Sequence, residues 1–376
     1  MDNKPGHIGA FLIREKMISE QQLEEALQAQ VVYGGKLGTI LVEKDFVDEE
    51  ELTKALANFS NADYLPVSKY DEISDETIER FPKRFAEKYE VCPFKFEHKR
   101  LYLLMTDPSN FPAINEISFI TGCMIKPIVC PEIRMYYLLE KHYGTPRKLR
   151  YIIPPEKLRS SKTEARPSDE IQIKLEAVSS ERTDIKEYIE EVAEIQESSP
   201  PQEHVAAYEP ETIASLDEAL KRLARAATRD DVINIIFGFT KNYFKRVALF
   251  LVKGLMIYGW DGIGEGFSKV VLEKFAIPMA GPSIFKTVSN SLAPYVGPLP
   301  ENLTNKKLIG AIKNNPKNIL VIPITINNKV VNVLYCDNGA GGDVPANIVD
   351  IITLVEKVPL AFATIIKKMK AQIMNE

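Results

Sequence analysis

Residues 7–30 read HIGAFLIREKMISEQQLEEALQAQ, and residues 36–59 read KLGTILVEKDFVDEEELTKALANF. Set 29 positions apart, the two 24-residue stretches align without a gap around a five-residue spacer, VVYGG. They share Gly9/Gly38, Leu12/Leu41, Glu20/Glu49, Leu23/Leu52, Ala26/Ala55 and Leu27/Leu56, and most other pairs are alike in kind. Two copies are too few for a solenoid, so the repeat predicts a small pseudo-twofold helical module. Ile8, Phe11 and Leu12 have the spacing of one helical face, as do Leu23, Ala26, Leu27 and Gln30 in the following helix. Ser19 with Gln22, and Asp48 with Glu51, fit a capping box at the start of each second helix. Gly34-Gly35 separates the units.

Around this module lies a chain of 376 residues, long enough for two or three domains. It is 45% hydrophobic and 26% charged, the composition of an ordinary folded protein. A net charge of −5 and a pI near 5.7 argue against a nucleic-acid polymer as partner. No apolar run approaches the length of a transmembrane helix, and MDNKPGHIG has no signal-peptide core, so the expected location is cytoplasmic. Cys92, Cys123, Cys130 and Cys336 show no metal or redox spacing and are expected in the core. His7, His98, His142 and His204 are isolated, so no metal site is expected.

The expected fold class is α+β and multidomain. Residues 1–60 hold the tandem helical repeat, and residues 61–145 form a small α/β subdomain of the same unit. In the latter, Ser74 caps a helix over 75–89 that Pro82 interrupts. Strands follow at 91–96 and 101–105, a turn at Asp107-Pro108, helices near 111–120 and 132–143, and a strand near 124–129. Residues 146–210 begin basic and turn acidic, with Ser, Pro and Gln, and are expected to be a disordered linker with a transient helix near 184–197. Residues 211–376 are expected to form a C-terminal α/β domain. It would have helices over 212–244 broken at Thr228-Arg229-Asp230, hairpins around Gly254 and Asn327-Asn328, a helix near 282–291 and a last helix over 345–372 kinked at Pro359.

The tandem unit, with glycine at its third position and Leu-x-x-Ala-Leu near its end, resembles the MshEN-type N-terminal domain of type II secretion and type IV pilus assembly ATPases (the GspE N-terminal family). The likeness continues through ISDETIERFPKRFAEKYEVCPF, LYLLMTDPSN, ISFITGCMIKPIV and HYG, and so covers residues 7–144. That resemblance implies a cyclic di-GMP site with one repeat unit for each half of the dinucleotide. The implied ligand-binding residues are His7, Gly9, Leu12, Ile13, Gln30, Lys36, Gly38, Leu41, Val42 and Asp107, with core packing as the other reading of Leu12, Ile13, Leu41 and Val42. The chain departs from the family pattern at His7 and Lys36 (usually Arg), at Lys16 and Asp45 (usually Gly) and at Phe59 (usually Gln), whereas Gln30 matches. Arginine forks two donors toward a phosphate or base edge and lysine does not, so a nucleotide-independent interaction module is a second reading of the same residues. Asp107 also reads as a turn former in Asp-Pro-x-Asn.

The order helices, hairpin, loop-rich middle, hairpin, helix over 211–376 resembles a GAF-type sensory fold. That likeness implies a small-ligand pocket or a homodimerisation surface; Trp260 would line the pocket or take a core or edge position. The family's ATPases carry a GxxxxGK[ST] phosphate loop, and this sequence has none, so no ATPase activity or other enzyme is expected. The combined expectation is a non-catalytic regulator tied to secretion, pilus or motility machinery. No cofactor is required, and cyclic di-GMP is the candidate ligand.

Overall fold

The computed structural model describes residues 7–145, 209–267, 269–279, 281–312 and 315–375. The expected linker and its transient helix near 184–197 lie outside the described residues. The fold is α+β, and the described residues fall into two compact units: 7–145 together with 366–375, and 209–365.

The first unit begins with four helices: α1 (Ile8–Arg14), α2 (Glu20–Tyr33), α3 (Leu37–Glu43) and α4 (Glu49–Ser60). Ser19 and Gln22 close the expected capping box on α2. Asp48 caps α4 differently: its carboxylate accepts from Glu50 N, so the reciprocal box through Glu51 does not form. The first helix of each unit ends in the same motif. Lys16 N donates to Ile13 O and Met17 N to Leu12 O; Asp45 N donates to Val42 O and Phe46 N to Leu41 O. This closure needs a left-handed residue, and Lys16 (φ 58°) and Asp45 (φ 55°) supply it. The units then exchange partners, since α1 packs on α4 and α2 on α3.

Pro82 divides the next helix as expected, into α5 (Asp75–Arg80) and α6 (Lys83–Tyr89). Strands β1 (Val91–Glu97) and β2 (Arg100–Met105) form a hairpin through His98 (φ 57°). Helix α7 (Phe111–Thr121) crosses to β3 (Met124–Val129), which lies parallel to β2, and α8 (Glu132–Tyr143) follows. The core beneath this sheet joins Phe81, Phe85, Leu103, Ile117 and Leu138. Helix α8 ties the sheet to the tandem module through two buried carboxylates. Arg134 Nε and Nη2 donate to the two oxygens of Glu49 at 2.7 and 2.6 Å. Glu132 accepts from Lys36 N at 3.1 Å and from Thr39 Oγ1 at 3.0 Å. The boundary expected at residue 60 is therefore internal to one unit.

The second unit starts with α9 (Leu216–Arg225) and α10 (Arg229–Thr240), whose capping box at Thr228 and Asp231 sets the break. Six strands follow in the order β6-β5-β4-β9-β8-β7, all antiparallel. They are β4 (Arg246–Lys253), β5 (Met256–Ile263), β6 (Ala276–Pro278), β7 (Tyr295–Gly297), β8 (Ile319–Ile326) and β9 (Lys329–Asp337). Asn327 and Asn328, both at positive φ, make the tight turn between β8 and β9 whose twist matches the strands. Three helices interrupt the middle: α11 (Lys269–Leu272), α12 (Ile284–Ser291) and α13 (Leu303–Ile312). Ala248, Phe250, Ile277, Val333 and Tyr335 of the sheet share one buried cluster with Phe275 and Phe285. The expected single last helix is two, α14 (Val349–Glu356) and α15 (Val358–Met374), because Pro359 has no N–H to continue the ladder.

Of its two expected roles, Trp260 takes the one in the core. It is buried on β5 beneath the Arg229 guanidinium, 4.4 Å from the ring centroid. All four cysteines are buried and free, and burial pushes the Cys92 thiol up to about 12, far from thiolate reactivity.

Candidate functional site

The exchanged helix pairing decides which repeat residues meet. Because α1 packs on α4, the start of the first unit lies against the end of the second. His7, at the N-terminus of α1, accepts from Gly9 N through Nδ1 at 3.3 Å. Phe11 meets Phe59 edge to face, with ring centroids 5.7 Å apart, and the Arg14 guanidinium lies 5.3 Å from the Phe11 ring. The Asp107 turn borders the same place: its Oδ1 accepts from Ser109 N at 2.9 Å and from Ser109 Oγ at 2.5 Å. Together these residues surround an open cleft of about 1190 Å³. Ile13 lines it as well, and so do Ile373 and Met374 from the C-terminal segment of this unit.

Of the ten residues expected to bind a nucleotide, the cleft brings together His7, Ile13 and Asp107. Leu12 and Leu41 are 0% exposed and present no surface to a ligand. Their repetition reflects core packing. Gly9 and Gly38 serve the same core. A Cβ on Gly9 would meet Leu23 Cδ1 at 3.0 Å, and one on Gly38 would meet Leu52 Cδ2 at 3.1 Å, so each glycine admits its own unit's leucine.

The second half of the expected site is arranged otherwise. Lys36, Gln30, Gly38, Leu41 and Val42 do not line the cleft. Gln30 Nε2 donates to Gly35 O at 2.8 Å and closes the glycine turn. Lys36 is exposed, but its backbone N–H is taken by the Glu132 carboxylate. The same carboxylate oxygen also accepts from Thr39 Oγ1, so the start of α3 is capped from within the fold. The two repeats are alike in fold and unlike in the surroundings of His7 and Lys36.

Sequence reasoning assigned no binding role to Phe11, Arg14 or Phe59 and overlooked the C-terminal pair. Phe11 is the fifth residue of one unit and Phe59 the last of the other. Their meeting follows from the exchange of helices, which no spacing within a unit reveals. Among the described residues, no group of three or more His, Cys, Asp or Glu side chains could hold a metal ion. Among them, too, no helix is long and apolar enough to cross a membrane.

The first unit thus has the architecture of a tandem helical module joined to a three-stranded α/β layer. Residues 69–149 match the MshEN domain and are homologous to the N-terminal region of type IV pilus assembly ATPases. The type IV pilus assembly ATPase PilB of Myxococcus xanthus (strain DK1622) is 33% identical over 139 residues, 37% of this chain and 24% of that protein. The chain therefore spans about a quarter of that relative, and the alignment is longer than the matched domain. Among solved structures, one of MshE with cdg is 23% identical with a TM-score of 0.30, covering 36% of this chain and 99% of that one. A GAF domain of a two-component sensor histidine kinase from Bacillus halodurans is 21% identical with a TM-score of 0.31, covering 38% of this chain and 99% of that one.

Proposed function

We propose that this chain is a non-catalytic cytoplasmic regulator that takes cyclic di-GMP in the α1–α4 cleft and acts on secretion, pilus or motility machinery. The observation that carries this reading is the aromatic pair Phe11–Phe59, with Arg14 beside it and Asp107 at the same mouth. A guanine can stack on an aromatic face, at roughly 1–3 kcal/mol per base. Its N1–H and amino group donate, and the Asp107 carboxylate keeps acceptor sites beyond the two that Ser109 uses. Arg14 supplies the cationic side for a phosphate. The homology of residues 69–149 supports the family side of the reading.

Titration calorimetry of the full chain with cyclic di-GMP tests it. Saturable heat is expected, weakened at least about tenfold by Phe59→Ala and by Asp107→Ala, which corresponds to about 1.4 kcal/mol each. No heat at high micromolar ligand would sink the proposal.

A specific observation favours a second reading. Glu132 blocks the start of α3, which suits a module that binds a protein and no nucleotide. In that case the second unit serves as a small-ligand sensor or a homodimerisation surface. A nucleotide affinity that Lys36→Ala abolishes would count against it.

A further inference from the structure

The pseudo-twofold of the tandem module is broken again at the two repeat glycines. Around Gly38, the three atoms nearest to an added Cβ all belong to Leu52. Around Gly9, the corresponding neighbours are Leu23, Leu37 and Ile373, whose Cγ2 would stand 3.3 Å away. Ile373 is 1% exposed, as deeply set as the core leucines of the repeat. One turn earlier on the same helix, Lys370 Nζ donates to Glu24 Oε2 of α2 at 2.7 Å, an ion pair spanning 346 positions of sequence. One residue later, Met374 is 44% exposed and lines the cleft beside His7 and Phe59. Polar clasp, buried anchor and exposed thioether follow one another along the last turns of α15.

We propose that the cleft is a composite site. The segment Ile366–Met374 supplies one of its walls, and the occupant of the cleft and the seating of this segment stabilise each other. Met374 is suited to the wall, being unbranched and polarizable and able to lie against a planar ring. Ile373 holds the helix against α1, and the Lys370–Glu24 pair sets its rotation. Whatever binds the cleft against Met374 gains contacts only while the segment is seated. By reciprocity, the bound cleft then holds the segment more tightly, by the same factor. The identity of the occupant rests on the nucleotide reading above. The seating of the segment does not.

The experiment uses the full chain and has two arms. Without ligand, hydrogen exchange is followed at the amides of Ile8–Arg14 and Ile366–Met374 in wild type, Lys370→Glu and the charge-swapped Glu24→Lys/Lys370→Glu. Faster exchange in the single variant, restored toward wild type by the swap, is expected. Unchanged exchange in the single variant overturns the seating. With cyclic di-GMP, calorimetry is expected to show affinity weakened about fivefold or more by Met374→Ala, within the usual span of coupling between sites. The amides of Ile366–Met374 are expected to slow on saturation. Binding by Met374→Ala at wild-type affinity, with no slowing of those amides, overturns the composite site. If wild type binds no cyclic di-GMP, the nucleotide reading fails, and the first arm alone decides whether the segment is seated.

Discussion

Arg134 and Glu49 form a bidentate pair with both side chains almost out of water, 6% and 8% exposed as residues. Burial by itself would disfavour the Arg134 cation, but the adjacent Glu49 carboxylate outweighs it and holds the guanidinium above its ordinary value. Removing one partner leaves the other buried and uncompensated. Arg134→Ala is therefore expected to lower stability by about 3–5 kcal/mol. The apolar double variant Glu49→Leu/Arg134→Met should recover most of that loss, because both desolvation costs disappear together. Denaturant titration of the full chain, followed on the first unit, checks both. A single-variant loss below about 1 kcal/mol would mean the pair is not desolvated as described. Sequence spacing showed neither residue as a pair, since Glu49 reads only as a repeat position and Arg134 as one basic residue of a helix. Their 85-residue separation is closed only by the docking of α8 on α4.

At the scale of elements, most boundaries were legible because their causes are local. Pro82 and Pro359 each remove a helix N–H, Ser19 and Thr228 cap, and Asn327-Asn328 makes the hairpin turn. The short pieces α11, β6 and β7 were not legible, because three or four residues carry no periodicity to read. The helix ends at Lys16 and Asp45 give a prediction. Both side chains sit in the left-handed region, which costs an L-residue about 1–2 kcal/mol relative to glycine's freedom. Lys16→Gly and Asp45→Gly should each stabilise the fold by up to about 1 kcal/mol, the remainder being offset by glycine's looser unfolded chain. An unchanged or lowered unfolding midpoint in both would refute it.

At the scale of the molecule, acidification should weaken the first unit through His142. Burial lowers its pKa below 6.5, with Lys141 adding to the effect and Asp75 and Asp71 opposing it. The folded state therefore prefers the neutral ring, and the unfolded chain takes the proton first as pH falls. Its contribution is complete above about pH 6.5 and is lost as pH drops through the lowered value. Between pH 7.5 and 5.5 the unfolding midpoint should fall more in wild type than in His142→Gln. Equal slopes would remove His142 as the cause.

The sequence by itself determined the repeat, the longer helices and strands in their order, and the α+β class. Those follow from periodicity, caps and turns, which act over a few positions. It also placed His7 and Asp107 among the candidates. Only the tertiary structure decided that α1 pairs with α4 and that Leu12, Gly9 and Leu41 serve packing. Only it set Glu132 across the start of α3 and brought Phe11, Phe59 and Met374 to one cleft. Each of these depends on contacts between residues far apart in the chain, whose energies exist only once the docked surfaces have excluded water from both sides.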